Sequence, residues 1–451
     1  MKLWSKQESP ALLNDLSKRI EQFTTGDDVA FDLLLAPFDV EGSIAHTRML
    51  AKTGLITAEE GSAIEGALQQ IAAEIAEGKF SIEAGVEDVH SQVELLLTRR
   101  LGDTGKKVHT ARSRNDQVLL DMKLWLRHAL RQTALKTQAL ALALLHNSRR
   151  YSDVLLPGYT HLQMAMPSSF GLWFGAYAEA LAEDLFVVEA AFRSANQCPL
   201  GSAAGYGSSL PIDRALTARL LGFEDLNWNV VYAQMTRGKS EKIAAFALAQ
   251  IGATVARICM DITLYMSQNF GFLSLPAHLT TGSSIMPHKK NPDVFELIRA
   301  WCNELQGVPA TVQHTLGNLP SGYHRDVQII KGQIIPAFQR LDACLQMATD
   351  MVPELVIAEH ITSDERYRYL FTVEAVNQLV RQGVPFRDAY RQIGRETESG
   401  QFHFPESGPL PDTASALQHT HAGSMGHLCN EQIEEKLHRA IRFINLSDRP
   451  S

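Results

Sequence analysis

Residues 281–293 read Thr-Gly-Ser-Ser-Ile-Met-Pro-His-Lys-Lys-Asn-Pro-Asp. The part before Asn291 is loop material, because Gly and Ser bury little and favour turns. Asn291 suits an N-cap, Pro292 the first helical position and Asp293 the positive helix pole, so a helix is expected to start there. Lys289 and Lys290 stand at the wrong pole for stability, but lysines beside backbone N–H groups make an anion cradle. A serine such as Ser283 ionises only where positive charge and N–H donors lower the cost. A flexible surface linker would use similar residues; it ranks lower because so many features converge on one job.

Three further stretches can do chemistry. In Thr-Ala-Arg-Ser-Arg-Asn-Asp (110–116), Arg112 and Arg114 flank Ser113 just before a long helical pattern. Arginine forks bind carboxylates bidentately; salt bridges to a neighbouring domain explain them equally well. In Pro-Gly-Tyr-Thr-His-Leu-Gln (157–163), a loop is expected to lead Thr160 and His161 into the next helix. His161 has the side chain suited to acid–base work near neutrality, although a lone histidine is more often structural. In Tyr-His-Arg-Asp-Val-Gln-Ile-Ile-Lys (323–331), Gln328 and Lys331 share one helix face. That face can hold a polar substrate or simply be solvated.

Long helices must position these groups. No proline occurs between Pro37 and Pro157 or between Pro211 and Pro276, which leaves room for them. Residues 115–150 are rich in good helix formers, and their apolar positions cover more than one face, as in a helix surrounded by others. Residues 239–269 behave alike, with Gly252 as the sole interior breaker. Residues 61–78 place Ile64, Leu68, Ile71 and Ile75 on one face, and a last helix is expected near 431–444. Period-two signals are scarce. The expected fold is all-α, with an N-terminal helical domain (1–110), a central bundle of long helices (111–355) and a small C-terminal helical domain (356–451). A Pro/Gly-rich loop covers 401–413. At 451 residues, two or three domains are expected.

The formal net charge of −8 excludes a phosphate-neutralising basic surface, so neither nucleic acid nor a membrane surface is an expected partner. The N-terminal run MKLWSKQESPALLNDL has no apolar signal core, and no uninterrupted apolar run is long enough to cross a bilayer. Five dispersed cysteines (Cys198, Cys259, Cys302, Cys344, Cys429) form neither a metal-ligand spacing nor a disulfide framework, which fits reduced thiols in a cytoplasmic protein.

Taken together, the motifs resemble the fumarase/aspartase superfamily through GSSIMPHKKNP (282–292). Within it they resemble argininosuccinate lyase through LAPFDVEGSIAH (35–46), EDVH (87–90), HTARSRNDQ (109–117), PGYTHLQ (157–163), PLGSAAGYG (199–207) and GVPFRDAY (383–390). The resemblance implies a homotetramer whose active sites each collect motifs from three subunits. It implies reversible elimination of argininosuccinate to arginine and fumarate without metal or organic cofactor. It implies Ser283 as base, His161 as its partner in proton transfer, Lys289 as supporting charge, and Glu296 orienting His161 from another subunit. Arg112, Ser113, Arg114, Asn115, Thr160, Ser284, Lys289 and Asn291 would hold carboxylates; Tyr323, Gln328 and Lys331 would hold the arginine end, with Gln163 and Arg237 also at the substrate. Adenylosuccinate lyase-type elimination and a catalytically silent, crystallin-like paralogue are the alternatives.

The chain departs from the family pattern in places. Met235-Thr-Arg-Gly238 replaces the usual Ser-Asp-Arg-Asp, keeping Arg237. His288 stands where argininosuccinate lyases often carry Gln. Residues 24–30 (TTGDDVA) lack the family's substrate serine and have Asp28 near its place, and the tail at 419–429 differs too. These changes bear on the amino-acid end of the substrate; the elimination machinery is intact.

Overall fold

The computed structural model describes residues 15–26, 28–405 and 409–445. Most of the N-terminal run MKLWSKQESPALLNDL (1–14), Asp27 of the altered 24–30 segment and residues 406–408 of the Pro/Gly-rich loop lie outside them.

Five helices pack side by side at the centre: Arg114–Arg150, Phe170–Ala195, Lys239–Tyr265, Asp293–Leu305 and Ile330–Met351. The first starts within one residue of the expected position because Ser113 and Asp116 form a capping box. It ends at Tyr151 with Arg149 and Arg150 in its last turn, where cations suit the negative pole. Its buried side chains encircle it and include Lys123 and Arg127. Lys123 donates to the Gln197 carbonyl (2.9 Å) and Asn227 Oδ1 (2.6 Å), and Arg127 to the Leu221 and Gly222 carbonyls (3.0 and 2.7 Å). Those acceptors offset the cost of burying two cations.

Asp28–Lys52 runs straight through Pro37, which the sequence reading takes as a breaker. Proline inside a helix costs about 3 kcal/mol; burial of Leu35, Ala36, Val40 and Met49 against neighbouring helices offsets it. Ala58–Ala76 begins with a Thr57–Glu60 capping box and buries Ile64, Leu68 and Ile71. The last expected helix is Asn430–Ala440, followed by a 3₁₀ turn at Arg442–Asn445.

The fold is mostly helical rather than purely so. Leu155–Thr160 and Gln163–Ser169 form an antiparallel hairpin. Gln197–Cys198 pairs in parallel with Asp225–Leu226, and Leu273–Ser274 antiparallel with Val356–Ile357. Lys239–Tyr265 is the one described helix long and apolar enough to cross a membrane, against the expectation of none. It packs between Phe170–Ala195 and Asp293–Leu305, and 56% of its most apolar window is buried inside the protein. Such burial marks a core helix. Cys198, Cys259, Cys302, Cys344 and Cys429 are free thiols, the first four buried.

Candidate active site

The residues expected to do chemistry fall into three places on the chain. The first is the loop 281–291. Its two ends are joined by a backbone bridge, with the Asn291 N–H donating to the Thr281 carbonyl at 2.9 Å. Thr281 Oγ1 donates to Asp293 and accepts from Asn291 Nδ2 (3.3 Å). Asn291 is therefore not the N-cap: the helix starts at Asp293 behind Pro292, and the Asn291 amide ties the loop shut instead. Ser283 Oγ accepts from the N–H groups of Ile285 (3.3 Å) and Met286 (3.1 Å). N–H donors aimed at a hydroxyl oxygen favour its ionised form. The donors come from within the loop, not from the helix start as the sequence suggests. Ser284, His288 and Lys289 are exposed on the same loop. Glu296, in the first turn of the helix, is exposed and lies 4.0 Å from Arg299.

The second place is the hairpin tip. Thr160 pairs with Gln163, leaving His161 and Leu162 as the two central residues with φ of 55° and 56°. Two positive φ values in a two-residue hairpin loop describe a type I′ turn, a geometry that side chains other than Asn, Asp and Gly adopt at a cost. The sequence reading of a plain loop into the next helix is thus corrected: strand-forming Leu155 and Leu156 precede the tip, and the helix begins only at Phe170. His161 lines a shallow recess with Tyr159, Asp261 and Phe270. Among the described residues, no hydrogen bond or ion pair joins His161 to Ser283 or to Glu296.

The third place is a polar cavity of about 170 Å³. Arg114, Asn115, Arg237, Tyr323, Gln328 and Lys331, from three separate stretches of sequence, line it together. So do Asp28, Asp32, Glu87 and Asp88, giving the wall both signs of charge. Lys331 is buried rather than solvated and lies 2.7 Å from both Asp28 and Asp32. Burial pushes the Asp28 carboxyl up, with Lys331 pulling the other way. Gln328 Nε2 donates to the Thr24 carbonyl at 2.9 Å, so the altered 24–30 segment forms part of this wall. Arg114 bonds Ser91 and pairs with Asp88 at 3.0 Å. Ser113 serves as helix cap. Arg112 points elsewhere: its Nη1 donates to Ser43 Oγ at 2.9 Å behind the cavity wall.

Beside the cavity sits a buried trio. His90 Nδ1 lies 2.7 Å from Asp39 and 3.6 Å from Asp121. Burial alone would push the imidazole down, but Asp39, Asp121 and Asp88 outweigh it and hold His90 up at about 10. Burial and repulsion from Asp39 push the Asp121 carboxyl well up. These are the residue types that ligate metals, and among the described residues they are the one such group. Asp39 Oδ1 bonds the imidazole, Asp121 attracts it from farther off with neither oxygen hydrogen-bonded, and the Arg112 cation is felt by both acids. The arrangement fits an internal ion pair better than a divalent ion, which a neighbouring guanidinium repels. His90 lines the cavity, so the trio's imidazole borders it with the two acids beside it.

A family model described as Lyase matches residues 14–307. The argininosuccinate lyase of Bacteroides fragilis is 53% identical over 444 residues, covering 98% of this chain and 96% of that protein. The chain belongs to the argininosuccinate lyase family. It is therefore a carbon–nitrogen lyase. Among solved structures, an EDDS lyase in complex with formate superposes with a TM-score of 0.71 at 22% identity, covering 95% of this chain and 90% of that one. A class II fumarase from Schistosoma mansoni gives 0.68 at 16% identity, covering 94% and 95%. At such identities the likeness establishes the fumarase-like fold alone.

Several residues that build this candidate site are not singled out by the sequence reading. Asp116 was read as part of a motif, yet it does the positioning: Oδ1 accepts from the Ser113 N–H (2.9 Å), and Oδ2 from the N–H groups of Gly201 (3.0 Å) and Ala203 (2.8 Å). It thereby ties the 109–117 motif to the 199–207 motif. His90, Asp39, Asp32 and Asp88 lie inside the quoted motifs or next to them, and a charged residue embedded in an apolar helical run was the available signal.

Proposed function

We propose that this chain catalyses the reversible elimination of argininosuccinate to arginine and fumarate, as a homotetramer with sites shared between subunits. The observation that carries the reading is Ser283 Oγ, accepting two backbone N–H bonds in a loop closed at its base. The N–H groups and Lys289 lower the cost of the alkoxide. Ser283 then removes the proton from the carbon beside the succinyl carboxylate, and the electron pair is held as a dianionic aci-carboxylate. That pair collapses to form the C=C bond of fumarate as the C–N bond breaks. His161 gives a proton to the leaving guanidino nitrogen, oriented by Glu296 of another subunit.

Arg114, Asn115, Thr160, Gln163, Ser284, Lys289 and Asn291 hold carboxylates, with Ser113 and Arg112 setting the start of the helix that carries Arg114. Arg237, Tyr323, Gln328 and Lys331 hold the arginine end. A cavity lined by both charge signs supports this, since argininosuccinate carries carboxylates, an ammonium and a guanidinium. The dispersal of Ser283, His161 and the cavity over one chain supports assembly from several chains. Three helical domains, 1–110, 111–355 and 356–451, and a cytoplasmic setting complete the reading.

The test follows fumarate by ultraviolet absorbance with purified protein. Turnover of argininosuccinate is expected, and Ser283→Ala is expected to lose roughly 10²–10⁴-fold in rate. No fumarate above background sinks the proposal. A preference for adenylosuccinate in a parallel assay replaces it with the reading that His288 suggests.

A further inference from the structure

Arg237 and Tyr323 belong to two cavities. The second, of about 300 Å³, is built from the 234–242 stretch and from residues 313–327. Its charged lining is Arg237, Lys239 and Lys242, and no aspartate or glutamate lines it. The first cavity, which shares Arg237 and Tyr323 with it, has four acids on its wall. Lys239 Nζ donates to the Tyr232 hydroxyl (3.0 Å) and Lys242 Nζ to Gln313 Oε1 (2.6 Å), so both of these bonds go to neutral partners. Glu241, 3.3 Å from Arg237 Nε, balances one of the three cations.

Unmet hydrogen-bonding capacity gathers at the same place. Arg237 is 6% exposed, and its Nη1 has no hydrogen-bond partner. Gln234 Oε1 and His324 Nε2, also on this lining, are buried without partners. Buried polar groups of this kind normally find a partner, and three of them gather on residues that line this one cavity, within reach of a ligand by a small side-chain turn. Met235, Leu316, Leu319, Pro320 and Val327 give the wall an apolar part beside its polar one. An inorganic anion would leave that surface facing a fully hydrated ion. A carboxylate on a short hydrocarbon body satisfies both halves.

We propose that this second cavity binds a small carboxylate with a short hydrocarbon body, and that the ligand communicates with the substrate through Arg237. The communication rests on the reading above in which Arg237 holds the substrate; the binding does not. One guanidinium cannot serve a carboxylate in each of two cavities with full geometry, so occupancy of the second cavity weakens substrate and transition-state binding together.

The test uses full-length protein, succinate as the probe and constant ionic strength. Binding is measured by titration calorimetry without substrate, in wild type and in Lys239→Gln/Lys242→Gln. The double variant is expected to bind succinate roughly tenfold more weakly, the value of one charge-assisted contact. Without succinate its kcat and KM are expected to stay within about twofold of wild type. With succinate, wild-type KM is expected to rise to a plateau with kcat little changed, so that kcat/KM falls, and the variant's kcat/KM is expected to fall less. Succinate that does not bind, or binds both proteins equally, overturns the site. Purely competitive inhibition, identical in both, overturns it too. Inorganic phosphate binding as tightly as succinate overturns the choice of ligand. The titration needs no turnover, so a protein that released no fumarate would fail the proposed reaction and leave this test standing.

Discussion

Asp116→Asn is the sharpest perturbation of how the site is held. The carboxylate accepts three backbone N–H bonds, on Oδ1 from Ser113 and on Oδ2 from Gly201 and Ala203. It is wholly buried, and burial pushes it up to about 6 against the pull of those donors. At about pH 8 it is ionised. An asparagine has one acceptor oxygen. Turned toward Gly201 and Ala203, it points its NH₂ at the Ser113 N–H, so one buried donor meets another. The lost charge-assisted bond is worth about 1.5–3 kcal/mol and the orphaned N–H costs about 1–3 kcal/mol. Because the two overlap, the expected loss is about 2–5 kcal/mol, a large share of a total near 5–15 kcal/mol. Asp116→Ala orphans all three donors and is expected to be worse. The same lesion unties the capping box that sets Arg114 and Asn115, so KM for argininosuccinate is expected to rise about tenfold with kcat changed less. Urea unfolding at one protein concentration and steady-state fumarate release measure the two effects. A variant within about 0.5 kcal/mol of wild type refutes the positioning argument. A fall in kcat with stability and KM unchanged refutes it too, by moving Asp116 into the chemistry.

His90 is held up at about 10, above an unfolded value of about 6.5. Its contribution to stability is full below about pH 6.5 and is lost as pH rises through about 10. The wild-type melting temperature should therefore fall across that window, and the His90→Gln profile should be flatter there; equal slopes exclude the imidazolium. In Gly238→Ala the new Cβ meets Leu316 Cδ2 at 2.3 Å and Ile330 Cδ1 at 2.9 Å, at a φ of +82°. A loss of about 2–4 kcal/mol in unfolding free energy is expected from overpacking and the left-handed backbone, and a neutral result refutes the packing described around Arg237. Thr281→Val removes the side-chain ties at the foot of the serine loop and leaves the backbone bridge. Stability should stay within about 0.5 kcal/mol while kcat falls about tenfold; unchanged turnover shows that the side-chain tie has no part in placing Ser283.

The long helices were legible because their signal is local. Residues 114–150 and 239–265 carry good helix formers between capping groups, and the structure moves each end by only a few residues. The hairpin at 155–169 was not legible. Its first strand reads Leu-Leu-Pro-Gly-Tyr-Thr, where Pro157 and Gly158 hide any alternation, and its turn uses His-Leu where Asn-Gly would announce itself. Pro37 misled for a related reason, since tertiary burial overrode a local rule. Among the site residues, Arg114, Asn115, Arg237, Tyr323, Gln328 and Lys331 were named from motifs and do line one cavity. Of the acids facing them, Asp28 was named and Asp32 was not, because an Asp inside an apolar helical run declares its partner only when the chain folds back: Asp32 meets Lys331, 299 residues away.

The bridge between Thr281 and Asn291 turns the serine loop into a closed ring on a rigid bundle. Strain inside such a ring ends at its clasp. Substitutions at 284–290 can change what the loop touches without disturbing the helices behind it, and residues can be added at its tip at little cost, since ring closure depends only logarithmically on length. Selection for a new leaving group and selection for a stable scaffold would then act on different residues. One framework could thus be retuned around an unchanged serine.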